Sequence, residues 1–325
     1  MNYATRILSM RRAVILLALL ASAAPVHAQG VTLKYRWTKG ESLTYRMGQQ
    51  TASTVTGMPG ISEVKLEQNM VLMLKITAED VAADGTATLS QTFESVKMDM
   101  SGPMGRVSYD TAAPSAIANP MVQALRQIFT GMVGASITIV QAPDGSVRKV
   151  EGATKVMDRI VKSAQGDPAA IAAAEGMKSI LSDEAVKATL EQSFPKLPAA
   201  ALQPGETWQA QLAMGNDTIG RVTGDVKFTL KAVEGAGDAA TAQIAVALTV
   251  KQDVAPPPAA NGMIVKMGEG KGTGDIAFDV AKGRIVKSSM KTDTPSTMTM
   301  QGPDGNMATL QSKATTTMTM ELVQK

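Results

Sequence analysis

The sequence predicts a mainly β protein of the α+β class: duplicated antiparallel curved sheets or half-barrels, with a helical insertion between the two copies. Three observations predict it. Residues 29–114 and 201–325 alternate apolar and polar side chains with the period of strands. Residues 115–200 change to helical spacing and contain a single β-hairpin. The turn Lys39-Gly40-Glu41-Ser42-Leu43 is echoed by Pro204-Gly205-Glu206-Thr207-Trp208. Aligned on that echo, Leu74-Lys75 falls near Leu230-Lys231, Val96-Lys97 near Val250-Lys251 and Tyr109-Asp110 near Phe278-Asp279. One continuous sandwich is the alternative packing of the same strands.

The chain opens on an export signal over residues 1–28. Arg6, Arg11 and Arg12 form its basic region, Ala13 to Ala21 its apolar core, and Val26-His27-Ala28 its small-residue cleavage site. Met10 followed by Arg11-Arg12 is a second candidate start. The apolar run is shorter than the roughly 20 residues a spanning helix needs, and no later stretch reaches that length. The expected product is not membrane-spanning and is periplasmic or secreted.

From Val31, Leu33, Tyr35 and Trp37 alternate with Lys34, Arg36 and Thr38, a strand pattern with one wet face. Leu43, Tyr45 and Met47 resume it after the Gly40-Glu41 turn, and residues 51–62 read as a hairpin loop. Val64 to Thr77, Thr86 to Met100 and Arg106 to Asp110 continue the meander. Asn119-Pro120 then starts a helix with an apolar stripe at Met121, Leu125, Ile128, Phe129 and Met132, stopped by Gly134. A hairpin about Pro143-Asp144-Gly145 follows. Three further helices cover about 154–163, 168–181 capped by Asp167, and 183–192 capped by Ser182. Beyond Trp208 the strands return: 208–214, 221–233, 241–250, 274–280, 284–292, 297–300 and 314–323. Residues 253–262 read as a stiff loop, and Gly302-Pro303-Asp304-Gly305 as the last hairpin turn.

Composition narrows the function. Three of the 32 basic residues and none of the 29 acidic ones lie in the signal, so the mature chain is neutral and nothing marks nucleic acid as a partner. His27, the single histidine, lies in the signal, and there is no cysteine. That removes the commonest general base, the usual zinc ligands, every Ser-His or Cys-His pair, disulfides and a lipid-acylated cysteine. No cofactor is expected. With 22 methionines against eleven aromatic residues, the core must rely on aliphatic side chains and pliable Met.

Four stretches carry the framework of a known family: Tyr35-Arg36-Trp37-Thr38-Lys39-Gly40-Glu41, Pro143-Asp144-Gly145 with Val147 and Val150, Phe194-Pro195 with Leu197-Pro198, and Gly205-Glu206-Thr207-Trp208. In these the chain resembles an uncharacterised family of exported bacterial proteins with a domain of unknown function. The resemblance implies export and the layout above, and it implies no catalytic residue.

Candidate chemistry is sparse. Met98 and Met100, Met298 and Met300, and Met318 and Met320 each sit two apart, which on a strand points both thioethers to one face. Such pairs fit a soft metal, an aromatic-poor core, or the wall of an apolar ligand site. Ser-x-x-Lys occurs at Ser62–Lys65, Ser146–Lys149, Ser193–Lys196 and Ser288–Lys291, none of them opening a helix as that nucleophile requires. Gly268 to Gly274 has the glycines of a phosphate loop without the following helix and reads as a flexible hairpin loop. Asp84, Asp144 and Asp304 each precede glycine, as turn residues do. Asp110 and Asp279 read as strand-end residues bonding backbone. Tyr35, Trp37, Tyr45 and Trp208 are needed for the core. The expectation is a non-enzymatic exported protein that binds an apolar or lipid-like ligand on a Met-lined β-surface. The alternative is an envelope or secreted module that meets another protein and holds no small molecule.

Overall fold

Thirteen strands form one antiparallel sheet among the described residues of the computed structural model, which are 30–57, 60–103, 105–113, 120–178, 181–216, 220–255, 264–301 and 307–324. The strands are β1 Ser42–Thr56, β2 Val64–Val81, β3 Ala87–Gly102, β4 Gly105–Asp110, β5 Ser136–Gln141, β6 Val147–Glu151 and β7 Thr207–Asn216. The rest are β8 Gly220–Glu234, β9 Thr241–Val254, β10 Ile264–Met267, β11 Gly270–Asp279, β12 Arg284–Gln301 and β13 Met307–Gln324. Four helices are α1 Pro120–Met132, α2 Ala153–Ser163, α3 Pro168–Met177 and α4 Asp183–Ser193. The signal segment, Asn119 and the Asp304 turn lie outside the described residues.

The strand order is β6-β5-β3-β2-β1-β13-β12-β11-β9-β8-β7, with β4 also on β3 and β10 also on β12. Most neighbours are hairpin partners. The exceptions are β3–β5, β9–β11 and β10–β12, each of which skips one strand, and the β1–β13 pair, which runs from Thr44↔Gln324 to Thr56↔Gln311 and joins the two strand blocks into one sheet. The sheet curls. Its outermost strands, β6 and β7, both contact α4, so a helix closes the gap between the sheet's two free edges.

Helix boundaries follow local chemistry. Asp167 accepts hydrogen bonds from Ala169 N and Ala170 N, with Pro168 in the first helical position, and Ser182 accepts from Ala185 N. The stripe of α1 buries Val122, Ala124, Ile128, Phe129 and Met132. Gly131 lets α1 approach α2 closely, since a Cβ there would stand 2.6 Å from the Ile160 Cα.

The echoed turns are the same local structure. Gly40 and Gly205 both have positive φ, and their amides donate to Ala78 O and Leu230 O. The Glu41 and Glu206 carboxylates accept from Thr38 N and Gln203 N. Leu230 therefore takes the place of Ala78, not of Leu74 as the sequence alignment has it. The surroundings differ as well, because β1 is central in the sheet and β7 is an edge.

The structure differs from the sequence reading at several places: β10 is unexpected, β13 starts at Met307 and not at 314, β9 runs to Val254 into the expected loop, and the helix expected over 168–181 is Pro168–Met177. Four further differences have a clear physical reason. Residues 32–38 keep their alternating burial but form no ladder. They are an extended strap across one end of the curled sheet, held by Tyr35 N to Pro143 O and Arg36 N to Gly283 O. Residues 51–56 are strand and not loop, because β13 and β2 flank them on both sides. Gly270 to Gly274 is strand too: the glycines of β11 face inward, where neighbouring side chains such as Val250 and Met290 fill the space of a Cβ. Pro295 interrupts nothing in β12. Its missing N–H points to the side where β11 pairing ends at Asp293 and β10 pairing begins at Ser296, so no ladder bond is lost.

The strap end, called the near end here, is plugged by aromatic and aliphatic side chains. Tyr35 makes edge-on contacts with Phe194 and Phe278 at 6.0 and 5.5 Å. Trp37 donates to Gln141 Oε1, Trp208 to Lys196 O, and the Tyr45 hydroxyl to Ile285 O. Burial drives the Tyr35 and Tyr45 phenols well above their ordinary pKa, so both remain donors. Asp84 and Asp144 accept from Thr86 and Ser146 in their turns, and Asp110 and Asp279 accept from Ala112 N and Lys282 N. The four act as the sequence reading expected.

Candidate functional site

Strand pairing arranges the inner face of the sheet in rows, and the rows change character from the near end outward. One row runs Leu230, Ile244, Ile276, Ser288, Met320, Met47, Leu72, Val96. The next runs Phe228, Val246, Gly274, Met290, Met318, Gln49, Met70, Met98, Tyr109. Beyond it, Thr292, Thr316, Thr51 and Gln68 make the middle of the row polar, between Val226 and Leu248 on one side and Met100 and Val107 on the other. Along its central strands β12, β13, β1 and β2 the face thus grades from aliphatic through methionine to hydroxyl.

Where the aliphatic rows meet the helices, they leave a cleft of about 190 Å³. Its sheet wall is Tyr45, Met47, Leu72, Leu74, Ile76, Phe93, Ile137 and Met320. Ala153 and Val156 of α2, Val186 and Leu190 of α4, and Leu181 and Phe194 form the opposite wall. The wall has no charged side chain. Of its polar members, the Tyr45 hydroxyl is committed to Ile285 O and the Thr189 hydroxyl to Ala185 O. The remaining one is Gln91, only 6% exposed. It sits on β3 between Ile76 and Ile137, both of which also line the cleft.

The six methionines singled out from sequence lie on strands, and Met98, Met100, Met298, Met318 and Met320 are at inner-face positions. Met320 is buried and lines the cleft. Met98 stands one row outward and packs against the core, paired with Met70 and Tyr109. Met318 shares that row and is exposed, with Met290 opposite it. Met100, paired with Gln68 and Val107, belongs to the polar row, and Met298, paired with Val265 and Leu310, lies farther out. Met300 is in β12 beyond it, and its side chain lies outside the described residues. Sequence reasoning assigns no ligand-lining role to Met47, Leu72 and Phe93, nor to the helical residues Val156, Val186 and Leu190. The alternation marked their faces, but the β1–β13 pairing that gathers them was not visible.

The alternative chemistries find no assembled site among the described residues. Ser146 is bonded to Asp144 while Lys149 pairs with Glu151, and Ser193's side chain lies outside the described set. No group of three or more His, Asp or Glu side chains converges there. A second, larger hollow of about 310 Å³ is polar and lies along α1 and the end of α2, lined by Arg126, Gln127 and Ser163. Ser163 donates to Gln127 O, which ties those two helices together.

The model of a family of unknown function, DUF6263, matches residues 84–285. No curated protein matches the chain. Among solved structures, lipovitellin, from a study of lipid–protein interactions, is 10% identical at a TM-score of 0.46. The match covers 89% of this chain and 26% of that one, so the chain spans about a quarter of lipovitellin's length. DynF from the dynemicin biosynthesis pathway of Micromonospora chersina is 9% identical, at TM-score 0.20 with 92% and 89% coverage. A putative exported protein with a YmcC-like fold from Bacteroides fragilis is 8% identical, at TM-score 0.21 with 87% and 97% coverage. None of the three reaches the TM-score at which a likeness carries an argument.

Proposed function

The chain belongs to DUF6263, a family of unknown function, and from its own cleft we propose that it is an exported, non-enzymatic protein that holds an apolar or lipid-like ligand against the inner face of its sheet. The observation that carries this reading is the uncharged, aliphatic cleft between β1–β2–β3–β13 and helices α2 and α4. An engineered apolar cavity of about 150 Å³ stays dry and takes up benzene. A cleft of about 190 Å³ therefore has room for a ring or a short stretch of acyl chain. The methionine row that borders it supplies a pliable wall for a longer chain to follow outward.

Native mass spectrometry of the mature protein purified from its own envelope, with an organic extract in parallel, tests the reading. The expected result is a reproducible bound mass that extraction removes. A clean unliganded mass across gentle preparations overturns it. Filling the cleft gives a second test. Val186→Phe on α4 is expected to weaken uptake of 1-hexanol at least tenfold while the far-ultraviolet spectrum stays native.

A second reading, a module that meets another envelope protein and holds no small molecule, is favoured by a different observation. Ile61, Leu66, Val254 and Met307 are exposed, and all four lie at the end of the sheet opposite the strap. Substituting all four by serine is expected to leave 1-hexanol binding unchanged if the cleft is the site.

A further inference from the structure

We infer that the part of the ligand buried in the cleft carries one uncharged hydrogen-bonding group, a hydroxyl or an ester or amide carbonyl, that docks on the side-chain amide of Gln91. This rests on the proposed ligand-holding role and adds the chemical class of the ligand.

Two glutamines are buried on β3 and β5, and they differ in what they do. Gln141, 1% exposed, accepts from the Trp37 indole through Oε1 and so fastens the strap, while its Nε2 is enclosed without a partner among the described residues. Gln91, 6% exposed, lines the cleft, and no hydrogen bond of its amide is found among the described residues. Buried side-chain amides are almost always bonded, because leaving one unbonded forfeits its hydration. An amide flanked by Ile76 and Ile137 on the wall of an apolar cleft is therefore available to whatever fills it. It offers two donors and one acceptor, so it serves a hydroxyl or a carbonyl equally well.

The same wall excludes charged ends. A carboxylate or phosphate drawn into this cleft would lose its hydration and meet no cation, since none of the lining residues is basic. Arg284, the buried cation near Tyr45, is already held by Glu41 at 2.7 Å. The ligand is thus an apolar chain or ring with a neutral polar group, and any ionised head stays outside the cleft.

The test uses the mature protein with 13C-methyl-labelled methionine, so that Met47 and Met320 report from the cleft wall. Hexane, 1-hexanol and hexanoate are titrated at neutral pH into the natural protein and into Gln91→Leu, with Gln91→Met carried in parallel in case the leucine variant fails to fold. The expected result has three parts. Hexanol shifts the Met47 and Met320 methyl signals in the natural protein, and hexanoate binds at least tenfold more weakly than hexanol. Loss of the amide weakens hexanol about tenfold. Hexane binds the variant as well as or better than the natural protein. Equal effects of the substitution on hexanol and hexane, or hexanoate binding as tightly as hexanol, would overturn the neutral-group assignment and leave the apolar cleft standing. If none of the three compounds moves the Met47 and Met320 signals, the ligand-holding role itself falls, and this inference with it.

Discussion

Replacing Glu41 by alanine is expected to destabilise the protein by about 3 kcal/mol, whereas the same change at Glu206 costs about 1 kcal/mol. The two residues occupy the same turn and make the same bond to the backbone N–H three residues earlier. They differ in one respect. The other Glu41 oxygen pairs at 2.7 Å with Arg284 of β12, whose side chain is 10% exposed. Removing Glu41 leaves a guanidinium buried with no opposite charge, and its Nε already lacks a partner among the described residues. Glu206 is exposed, so its loss removes only a turn bond. Urea unfolding of both variants measures the difference. The double variant Glu41→Ala, Arg284→Met is expected to recover most of the loss, because no orphaned charge remains. Equal destabilisation by Glu41→Ala and Glu206→Ala would show that the ion pair contributes nothing and that turn chemistry accounts for both.

Gly283→Ala is the second substitution with a large expected effect, more than about 3 kcal/mol against about 1–2 kcal/mol for Gly40→Ala. Both glycines have positive φ, 62° and 83°, a conformation that side chains disfavour. At Gly40 a Cβ would meet nothing within 4 Å, so the backbone penalty stands alone. At Gly283 it would collide with Lys34 O and stand 2.6 Å from Arg36 N, and those are backbone atoms of the strap. The strap must then leave the β11–β12 turn and give up the bond from Arg36 N to Gly283 O. Trp37, bonded to Gln141 in the same segment, reports the release. Its fluorescence is expected to shift to the red in Gly283→Ala and to stay in place in Gly40→Ala. Hydrogen exchange at the Tyr35 and Arg36 amides should accelerate only in the former.

Both predictions concern features that were half legible in the residues. The echo of Gly40-Glu41 in Gly205-Glu206 was visible as text, and the structure confirms it as one turn made twice. That Glu41 faces an arginine more than two hundred residues away was not visible, because nothing local to either residue records it. Asp167 and Ser182 were read correctly as helix caps, since a cap is a bond over two or three residues. Gly270 to Gly274 was misread because glycine is ordinarily a mark of turns. Here the glycines are needed for the opposite reason: β11 lies so close to its neighbours that their side chains occupy the inner surface. The break expected between 292 and 297 is absent too, since the gap in pairing beside Pro295 belongs to β10 and β11 and not to its own strand.

The sequence by itself determined the elements and their faces: the strand and helix periods, the capped starts, the Asp-Gly turns, and the set of side chains that point inward. Those are decided by contacts within a few residues and by the two periodicities of the backbone. Tertiary structure alone decided that β1 lies against β13, with Thr51 and Thr316 in hydrogen-bond contact 265 residues apart, and that α4 bridges the two edges of the sheet. Long-range pairing depends on the closure of the whole sheet, and one strand's alternation fits many partners equally well. The cleft exists only through that closure. Met47, Met320, Gln91 and Val186 come from four separate parts of the chain, and nothing in any one of them announces the other three.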